Sequence, residues 1–290
     1  MLKPEVESLV PGQKFDRRSF VKTALGSAFA AAVLPVTAAT IKTDFNGLTA
    51  GEVTIESNGF KMPAYRAQPQ GQTNLPVVLV ISEIFGVPEP IADICRRFAK
   101  LGYLAIAPEL FARQGDPSSY GTIQELQANI IQKVPDAQVM GDLDACVAWA
   151  GNHGGDLNRL AVTGFCWGGR ITWLYSAHSK RVKAGVAWYG QLVGEPSALK
   201  PRNPVDIVND LDAPVLGLYG GKDTGITQEQ VARMKSALAA SSDPSAKASQ
   251  FVVYPEAGHA FNADYRSSYV ESAAKDGWQR CLDWFRDHNV

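Results

Sequence analysis

One cysteine lies in a pattern that could hold a nucleophile. The segment Gly164–Gly168 reads Gly-Phe-Cys-Trp-Gly, which is the spacing of the G-x-S-x-G nucleophile elbow with cysteine in place of serine. Such an elbow is a sharp turn from a strand into a helix, and its glycines leave room for the backbone that carries the nucleophile. Cys166 would lie at the amino end of the helix, where the helix dipole favours a thiolate. The alternative is a buried cysteine that packs as a small apolar side chain.

An acid and a histidine follow this cysteine in the chain order that such sheets use for a nucleophile, its acid and its histidine. Asp223 comes shortly after the predicted strand Val215–Tyr219, and His259 comes shortly after the predicted strand Gln250–Tyr254. Loops that follow parallel strands lie at the carboxyl edge of the sheet, where open α/β folds build their sites. We therefore predict that Asp223 and His259 meet Cys166 there.

Other acids and histidines fit this order less well. Asp243 and Asp264 also lie downstream of the cysteine, but neither closely follows a predicted strand. His178 and His288 lie at predicted helix ends, where a role in capping the helix dipole is the simpler explanation. His153 is predicted to lie in a solvent-exposed loop. This leaves Asp223 and His259 as the best candidates.

The elements that would position these residues alternate between strands and helices. A hairpin is predicted around the turn dipeptide Asn58-Gly59, between Glu52–Ser57 and Met62–Ala67. The further predicted strands are Val77–Ser82, Tyr103–Ala107, Leu160–Phe165, Ala184–Tyr189, Val215–Tyr219 and Gln250–Tyr254. The predicted helices are Pro88–Leu101, Ile123–Lys133, Asp136–Ala150, Gly168–His178, Gln228–Ala240 and Tyr265–Asp287, and Gly190–Leu211 is predicted to be irregular. This alternation predicts an α/β fold, a mostly parallel central sheet with helices on both faces.

Composition excludes several other classes of protein. The 290 residues are 46% hydrophobic with a formal net charge of −1, which argues against disorder and against a basic nucleic-acid surface. Four cysteines without a Cys-x-x-Cys pair are too few for a disulfide scaffold and do not indicate a zinc site. Cys95, Cys146 and Cys281 lie on apolar faces of predicted helices, so we expect them in the core. We expect no cofactor and no metal, and a monomer.

The amino-terminal residues 1–39 have the features of an export signal. Arg17 and Arg18 are adjacent, the small apolar run Thr23–Val33 follows, and an Ala-x-Ala-like site comes before Thr40. This pattern predicts a twin-arginine signal peptide, and the run is shorter than the about 20 residues of a membrane span. The alternative is an amphipathic helix of the domain itself. We expect residues 40–290 to form one domain, exported folded by the twin-arginine machinery to the periplasm or beyond and free of the membrane after signal removal.

Five short segments resemble the dienelactone hydrolase (carboxymethylenebutenolidase) family of α/β-hydrolases, over roughly Gly51–Val290. They are Ser82–Gly86, Ala107–Arg113, Gly164–Gly169, Gly220–Asp223 and Gly258–Phe261. The resemblance implies an α/β-hydrolase fold and a Cys-His-Asp triad, which would be Cys166, His259 and Asp223 here.

The resemblance also implies residues that meet the substrate. Glu83 would contact the resting thiol and take its proton when substrate binds, whereas the simpler alternative is a solvated loop acid. Arg113 would hold the carboxylate of a lactone substrate, or would be an ordinary surface charge. A second substrate arginine of the family would lie shortly after the histidine, where this chain has Ala263, and Arg266 is nearby but out of register.

These features predict a hydrolase that cleaves a small-molecule ester or lactone through a thioester acyl-enzyme. The backbone N–H groups of Trp167 and Ile84 would form the oxyanion hole. Two alternatives remain open: a short-chain carboxylesterase or thioesterase, and a non-catalytic binding protein on the same scaffold.

Overall fold

The alternation of strands and helices forms one eight-stranded sheet in this computed structural model, which describes residues 40–290. The strands are β1 (Leu48–Ser57), β2 (Phe60–Pro69), β3 (Leu75–Ile81), β4 (Leu104–Pro108), β5 (Gly155–Phe165), β6 (Val182–Trp188), β7 (Val215–Gly220) and β8 (Gln250–Tyr254). The helices are α1 (Glu89–Lys100), α2 (Ile123–Asn129), α3 (Asp136–Asn152), α4 (Trp167–His178), α5 (Gln228–Ala240), α6 (Pro244–Ala248) and α7 (Glu271–Asp287).

The order of the strands places the loops that carry Cys166, Asp223 and His259 at one edge of the sheet. The order is β1-β2-β4-β3-β5-β6-β7-β8. β1 and β2 pair antiparallel, as do β2 and β4, and every later neighbouring pair is parallel. The carboxyl ends of β3, β5, β6, β7 and β8 therefore open on the same edge, and the predicted α/β-hydrolase architecture is confirmed.

The central strands are covered on both faces. All five residues of Val77–Ile81 in β3 have no exposed surface. Successive side chains of a strand point to opposite faces of the sheet, so a strand whose residues are all buried is covered by other parts of the protein on both faces. Cys95, Cys146 and Cys281 are also fully buried and free, as their positions on apolar helix faces predicted.

Three helices differ from the sequence prediction by more than two residues. The predicted helix Ile123–Lys133 is interrupted: α2 ends at Asn129, and the residues Ile131–Lys133 form a separate 3-10 turn. The short helix α6 was not predicted, although the Asp243 side chain caps it by accepting from the N–H of Ala246 at 2.9 Å. The last helix begins at Glu271 rather than at Tyr265. Tyr265 instead lies in a series of turns, and its hydroxyl donates to the carboxylate of Glu83.

The first described residues lie along α1. The Thr43 N–H donates to Asp93 at 2.6 Å, and the carbonyl of Thr43 accepts from Arg96 Nε at 3.1 Å. The N–H of Ile41 donates to the Asp264 carboxylate at 3.2 Å, which ties this segment to the loop after His259. The predicted signal peptide, residues 1–39, lies outside the described residues. From residue 40 onward, no helix combines the length and the apolar character needed to cross a membrane.

Candidate active site

Cys166 occupies a strained turn between β5 and α4. It has φ 54° and ψ −113°, and α4 begins at the next residue, Trp167. A positive φ is uncommon for a residue other than glycine, and such strain persists only where the surroundings impose it. Cys166 is partly exposed, in contrast to the three buried cysteines. The turn therefore presents a sulfur at the helix amino terminus.

The glycines around Cys166 are required by close backbone contacts. A Cβ on Gly164 would lie 2.2 Å from the carbonyl oxygen of Gly168, and a Cβ on Gly168 would lie 2.3 Å from that of Ile81. A Cβ on Gly169 would lie 2.6 Å from the carbonyl oxygen of Trp188. The elbow is thus pressed against the ends of β3 and β6, and larger residues could not be accommodated without backbone movement.

His259 lies between an acid and the cysteine. Its Nδ1 is 2.7 Å from Asp223 Oδ2, with Asp223 almost fully buried. The other carboxylate oxygen of Asp223 accepts from the N–H groups of Gly225 and Ile226 at 2.8 and 2.9 Å. These bonds orient the carboxylate, and the carboxylate favours the tautomer that carries a proton on Nδ1. The His259 side chain also forms a hydrogen bond with the Cys166 side chain.

The surroundings favour the protonated form of His259. Burial alone would lower the pKa of the imidazole, but the electrostatic interaction with Cys166 and the hydrogen bond to Asp223 outweigh it and hold the pKa well above the ordinary value of 6.5. An imidazolium beside a sulfur stabilises the thiolate, which is the nucleophilic form of cysteine. The arrangement can therefore supply a thiolate and a nearby proton donor.

The loops that carry Asp223 and His259 are bonded to each other. The N–H of Gly221 donates to the carbonyl of Tyr254 at 2.7 Å, and that of Lys222 donates to Ala257 at 2.8 Å. A Cβ on Gly220 would lie 2.5 Å from the Ala257 carbonyl oxygen. These contacts fix the acid and the histidine relative to each other.

Glu83 lies at the same edge of the sheet and is buried. Its Oε2 accepts from Arg266 Nη2 at 2.7 Å and from the Tyr265 hydroxyl at 3.1 Å. The guanidinium of Arg266 also lies 5.1 Å from the centre of the Phe85 ring. The alternative of a solvated loop acid is therefore wrong, since Glu83 is 5% exposed and ion-paired.

Tyr189 connects Glu83 with the triad candidates. It follows β6 with φ 40°, is fully buried, and its ring meets that of His259 edge-on at 5.1 Å between centroids. Burial raises the pKa of Tyr189 well above its ordinary value, and the nearby Glu83, Tyr265 and Cys166 raise it further. The phenol thus keeps its proton and can donate a hydrogen bond within the site.

Tyr189 and Tyr265 were missed in the sequence prediction, and Arg266 was named only as an arginine near, but out of register with, the expected second substrate arginine. Successive turns from Ala260 to Tyr269 bring Tyr265 and Arg266 back to Glu83, which lies more than 180 positions earlier in the chain. Tyr189 offered one usable signal, because it is the last residue of the predicted strand Ala184–Tyr189, which ends at the same edge of the sheet as the strands before Asp223 and His259. Arg266 offered none beyond its nearness in the chain to His259.

Arg113 is bound by groups of the protein itself. Its Nη1 lies 2.5 Å from a carboxylate oxygen of Asp142, which is fully buried, and its Nη2 donates to the Ser57 carbonyl at 2.8 Å. The guanidinium also lies over the Phe60 ring at 4.5 Å. The alternative of an ordinary surface charge is wrong, because the side chain is 20% exposed and holds a buried acid. The substrate role implied by the resemblance remains a prediction.

The predicted oxyanion-hole residues lie beside the elbow. Trp167 is the first residue of α4, so its N–H has no partner within the helix. Ile84 is buried in the loop after β3, and Gly86 in that loop has φ 75°. Two N–H groups from these positions are compatible with an oxyanion between them, which remains a prediction.

A small cavity borders the site on the side of α1. Its lining combines apolar and charged groups: Glu83, Pro90, Ile91, Ile94, Arg97, Phe165, Tyr189, Asn262, Ala263, Asp264 and Tyr265. Tyr189 belongs both to this lining and to the group of residues beside His259.

The other histidines and acids have local roles. His153 bonds to the Trp149 carbonyl, His178 to Asp144 and His288 to the Trp284 carbonyl. Asp243 caps α6, and Asp264 pairs with Arg97. Within residues 40–290, no group of three or more His, Cys, Asp or Glu side chains is placed to hold a metal ion.

Comparison with known proteins decides the family. The model of the "Dienelactone hydrolase family" matches residues 62–289. The chain belongs to the dienelactone hydrolase family.

Relatives of high identity agree with this assignment. A protein of Methylorubrum extorquens is 57% identical over 288 residues, which cover 99% of this chain and 98% of the relative. One from Escherichia coli (strain K12) is 54% identical over 263 residues, covering 90% and 96%. Both are named "Putative carboxymethylenebutenolidase". A crystal structure from Klebsiella pneumoniae, described as a "Putative Dienelactone Hydrolase", has 59% identity and a TM-score of 0.80, and covers 83% of this chain and 99% of that one. The protein is thus a dienelactone hydrolase-like, carboxymethylenebutenolidase-like hydrolase.

Proposed function

We propose that this dienelactone hydrolase-like protein cleaves an ester or lactone bond with Cys166 as nucleophile, His259 as acid and base, and Asp223 as the residue that orients the histidine. One observation carries the proposal: His259 bonds to Asp223 through Nδ1 at 2.7 Å and also forms a hydrogen bond with the strained, partly exposed Cys166. Nucleophile, base and orienting acid in mutual contact are the arrangement that covalent acyl transfer requires.

In the first half of the reaction, the Cys166 thiolate adds to the carbonyl carbon and the carbonyl electron pair moves onto oxygen. The N–H groups of Trp167 and Ile84 stabilise that oxyanion. When the oxyanion collapses, the carbon–oxygen bond to the leaving group breaks, and the leaving oxygen takes the proton of the His259 imidazolium. The product is a thioester on Cys166.

In the second half, neutral His259 takes a proton from water while the water oxygen adds to the thioester carbon. Collapse of this second oxyanion releases the carboxylic acid and restores the thiolate–imidazolium pair. Asp223 keeps the imidazole in the tautomer that can accept this proton.

Glu83 as the acceptor of the thiol proton belongs to the same proposal. Its carboxylate already accepts hydrogen bonds from Arg266 and Tyr265. To reach the sulfur, Glu83 would exchange these two partners for Cys166 when substrate enters. Glu83 would act only on molecules whose thiol is still protonated when substrate enters, because in the others the proton is already on His259, which hydrogen-bonds with Cys166.

Hydrolysis assays on wild type and on two cysteine variants test the proposal. Cys166→Ala should lower kcat/KM for a p-nitrophenyl ester by about a thousandfold or more, because triad nucleophiles act as a unit with their base. Cys95→Ala, which alters a fully buried thiol of α1, is the matched control and should stay within about threefold of wild type, since distant sites act independently. Unchanged turnover by Cys166→Ala would remove Cys166 from the mechanism.

The same assay separates the remaining alternatives. Rates for an enol lactone, an aryl ester and an acyl thioester distinguish a lactonase from a carboxylesterase or thioesterase. A protein that turns over none of the three and forms no adduct at Cys166 would be a binding protein on this scaffold.

We also propose export of the folded chain through the signal in residues 1–39, with residues 40–290 as the mature domain. The adjacent Arg17 and Arg18 followed by a small apolar run support it. Replacing both arginines by lysine should keep the protein out of the periplasmic fraction with its amino terminus uncut. Unaltered export of that variant would contradict the twin-arginine route.

A further inference from the structure

The loop that follows β4 lies next to the loop that carries one half of the predicted oxyanion hole. β3 and β4 are parallel neighbours, so their carboxyl ends open side by side at the active edge of the sheet. The loop after β3 carries Glu83 and Ile84, and the loop after β4 begins with Glu109. No step of the proposed reaction uses Glu109, although it belongs to one of the five segments that carry the family resemblance.

Both oxygens of the Glu109 carboxylate meet the loop after β3. Oε1 accepts from the N–H of Val87 at 3.0 Å. Gly86 has φ 75°, and a Cβ on Gly86 would lie 2.6 Å from Oε2, so the carboxylate lies directly against the backbone of this turn. A glycine at this position adopts the positive φ without strain and leaves the space that the carboxylate occupies. The Glu109 side chain therefore fixes the turn that begins two residues after Ile84.

The backbone of Glu109 is itself held by the sheet. Its N–H donates to the carbonyl of Pro63 in β2 at 2.9 Å. The residue before it, Pro108, is paired with Ala64 of β2. The carboxylate thus connects a fixed point of the sheet with the loop that carries Ile84.

The same loop also contacts the other half of the oxyanion hole. The ring of Phe111 lies 4.7 Å from that of Trp167 between centroids, and both side chains are buried. Trp167 is the first residue of α4 and directly follows Cys166. The segment from Glu109 to Phe111 therefore touches both elements whose N–H groups would hold the oxyanion.

We propose that Glu109 is a positioning residue for the oxyanion hole, which sets the place of the Ile84 N–H by holding the turn at Gly86 and Val87. The inference rests on the proposed function, because an oxyanion forms only when Cys166 adds to a carbonyl. An oxyanion-hole donor acts at about 2.7–3.1 Å from the oxygen, and a misplacement of about 1 Å lowers a rate by about a hundredfold. Glu109 acts on this donor and not on the sulfur.

Two reactions of Cys166 distinguish the oxyanion hole from the thiolate. Acylation by a p-nitrophenyl ester passes through an oxyanion, and its rate is the release of p-nitrophenolate in a single turnover with protein in excess. Alkylation by iodoacetamide forms the carbon–sulfur bond as iodide leaves a saturated carbon, so it needs the thiolate but no oxyanion. Glu109→Met should lower the maximal acylation rate by about 10- to 100-fold, with the half-saturating concentration within about threefold of wild type. Its alkylation rate should stay within about twofold.

Two further variants and a control test the contact itself. Glu109→Gln keeps an oxygen that accepts from Val87 and should retain about a third or more of the wild-type acylation rate. Gly86→Ala places a methyl group where Oε2 lies, and because β2 holds the Glu109 backbone, the side chain must leave Val87. This variant should reproduce the selective loss of acylation. Asp156→Leu is the matched control, because Asp156 also accepts from a backbone N–H, that of Asn158 at 3.0 Å, but at the opposite, amino end of β5.

The outcomes separate this inference from the function beneath it. Wild-type acylation by Glu109→Met or by Gly86→Ala would overturn the role of Glu109 and leave the hydrolase intact. A loss of alkylation that parallels the loss of acylation would also overturn it, because Glu109 would then act on the thiolate. If Glu109→Met does not fold, Gly86→Ala and Glu109→Gln make the same comparison, and equal acylation rates in these two would overturn the role. A wild-type protein that acquires no acyl group at Cys166 would instead overturn the proposed function, and this inference with it.

Discussion

Replacing Asp223 by asparagine changes the charge beside His259 while keeping the size of the side chain. Oδ1 of Asp223 accepts from two backbone N–H groups, of Gly225 and Ile226. In Asp223→Asn the amide oxygen must stay on these donors, so the NH₂ group would face Nδ1 of His259. The imidazole would then accept at Nδ1 and carry its proton on Nε2, which is the wrong tautomer to take a proton from Cys166 or from water.

The size of the effect follows from the bond that is lost. A hydrogen bond to a charged group contributes about 1.5–3 kcal/mol, and about 1.4 kcal/mol corresponds to a factor of ten. The 2.7 Å bond between His259 and Asp223 therefore predicts a loss in kcat/KM of about 10- to 150-fold, and the wrong tautomer adds to it.

The pH dependence gives a second, independent signature. In wild type the pKa of His259 is raised, so the imidazolium persists as pH rises until that raised pKa is passed. Without the negative charge of Asp223 the pKa of His259 falls, and the imidazolium is lost at lower pH. Alkylation of Cys166 by iodoacetamide should therefore slow in Asp223→Asn, and it should slow most in the pH range where His259 is protonated in wild type but not in the variant.

The assay follows alkylation of the Cys166 peptide and ester hydrolysis from about pH 5 to pH 10. Asp243→Asn, which alters the acid that caps α6, is the control and should give the wild-type profiles. Wild-type rates and an unshifted pH profile in Asp223→Asn would refute the assignment of Asp223 as the residue that orients His259.

Three further predictions concern the elbow, Arg113 and metal ions. Gly168→Ala should lower the free energy of unfolding by more than about 3 kcal/mol in urea titrations, because its Cβ would lie 2.3 Å from a backbone oxygen. Gly258→Ala is the control, because a Cβ on Gly258 would meet no described atom within 4 Å, and it should change the free energy of unfolding by less than about 0.5 kcal/mol. Equal changes in the two variants would contradict the tight packing of the elbow. Arg113→Met should lower the free energy of unfolding by about 3–5 kcal/mol, because it leaves the buried carboxylate of Asp142 without its counter-ion. In the same variant, kcat/KM for an uncharged ester should change by less than about threefold. A rise in KM for a lactone that carries a carboxylate, without a rise for an uncharged ester, would instead support the substrate role of Arg113. EDTA should leave hydrolysis unchanged, and a loss that added zinc reverses would contradict a triad mechanism without metal.

The elbow and the fold were predictable because their signals are local. Gly164, Gly168 and Gly169 flank Cys166 at a spacing that only a tight strand–turn–helix connection explains, and alternating buried strands require a parallel sheet. Asp223 and His259 were found through the order of strand ends, which depends on topology but not on the details of packing.

The environment of Glu83 was not predictable in the same way. Its partners Tyr265 and Arg266 lie in a segment with the apolar spacing of a helix, which is why the prediction began the last helix at Tyr265. In the structure, the buried ion pair with Glu83 prevails over that local pattern, and the helix starts only at Glu271. Arg113 shows the same limitation, because its pairing with Asp142 depends on how α3 packs against the hairpin.

Trapping the acyl group during turnover tests most directly whether Cys166 is the nucleophile that carries it as a thioester. Wild-type protein hydrolysing a p-nitrophenyl ester is quenched in acid, digested and analysed by mass spectrometry. We predict the acyl mass on the peptide that contains Cys166, its disappearance once substrate is exhausted, and no acyl mass on the peptides that contain the three buried cysteines. Turnover that continues with the acyl group on another residue, or with Cys166 never modified, would contradict it.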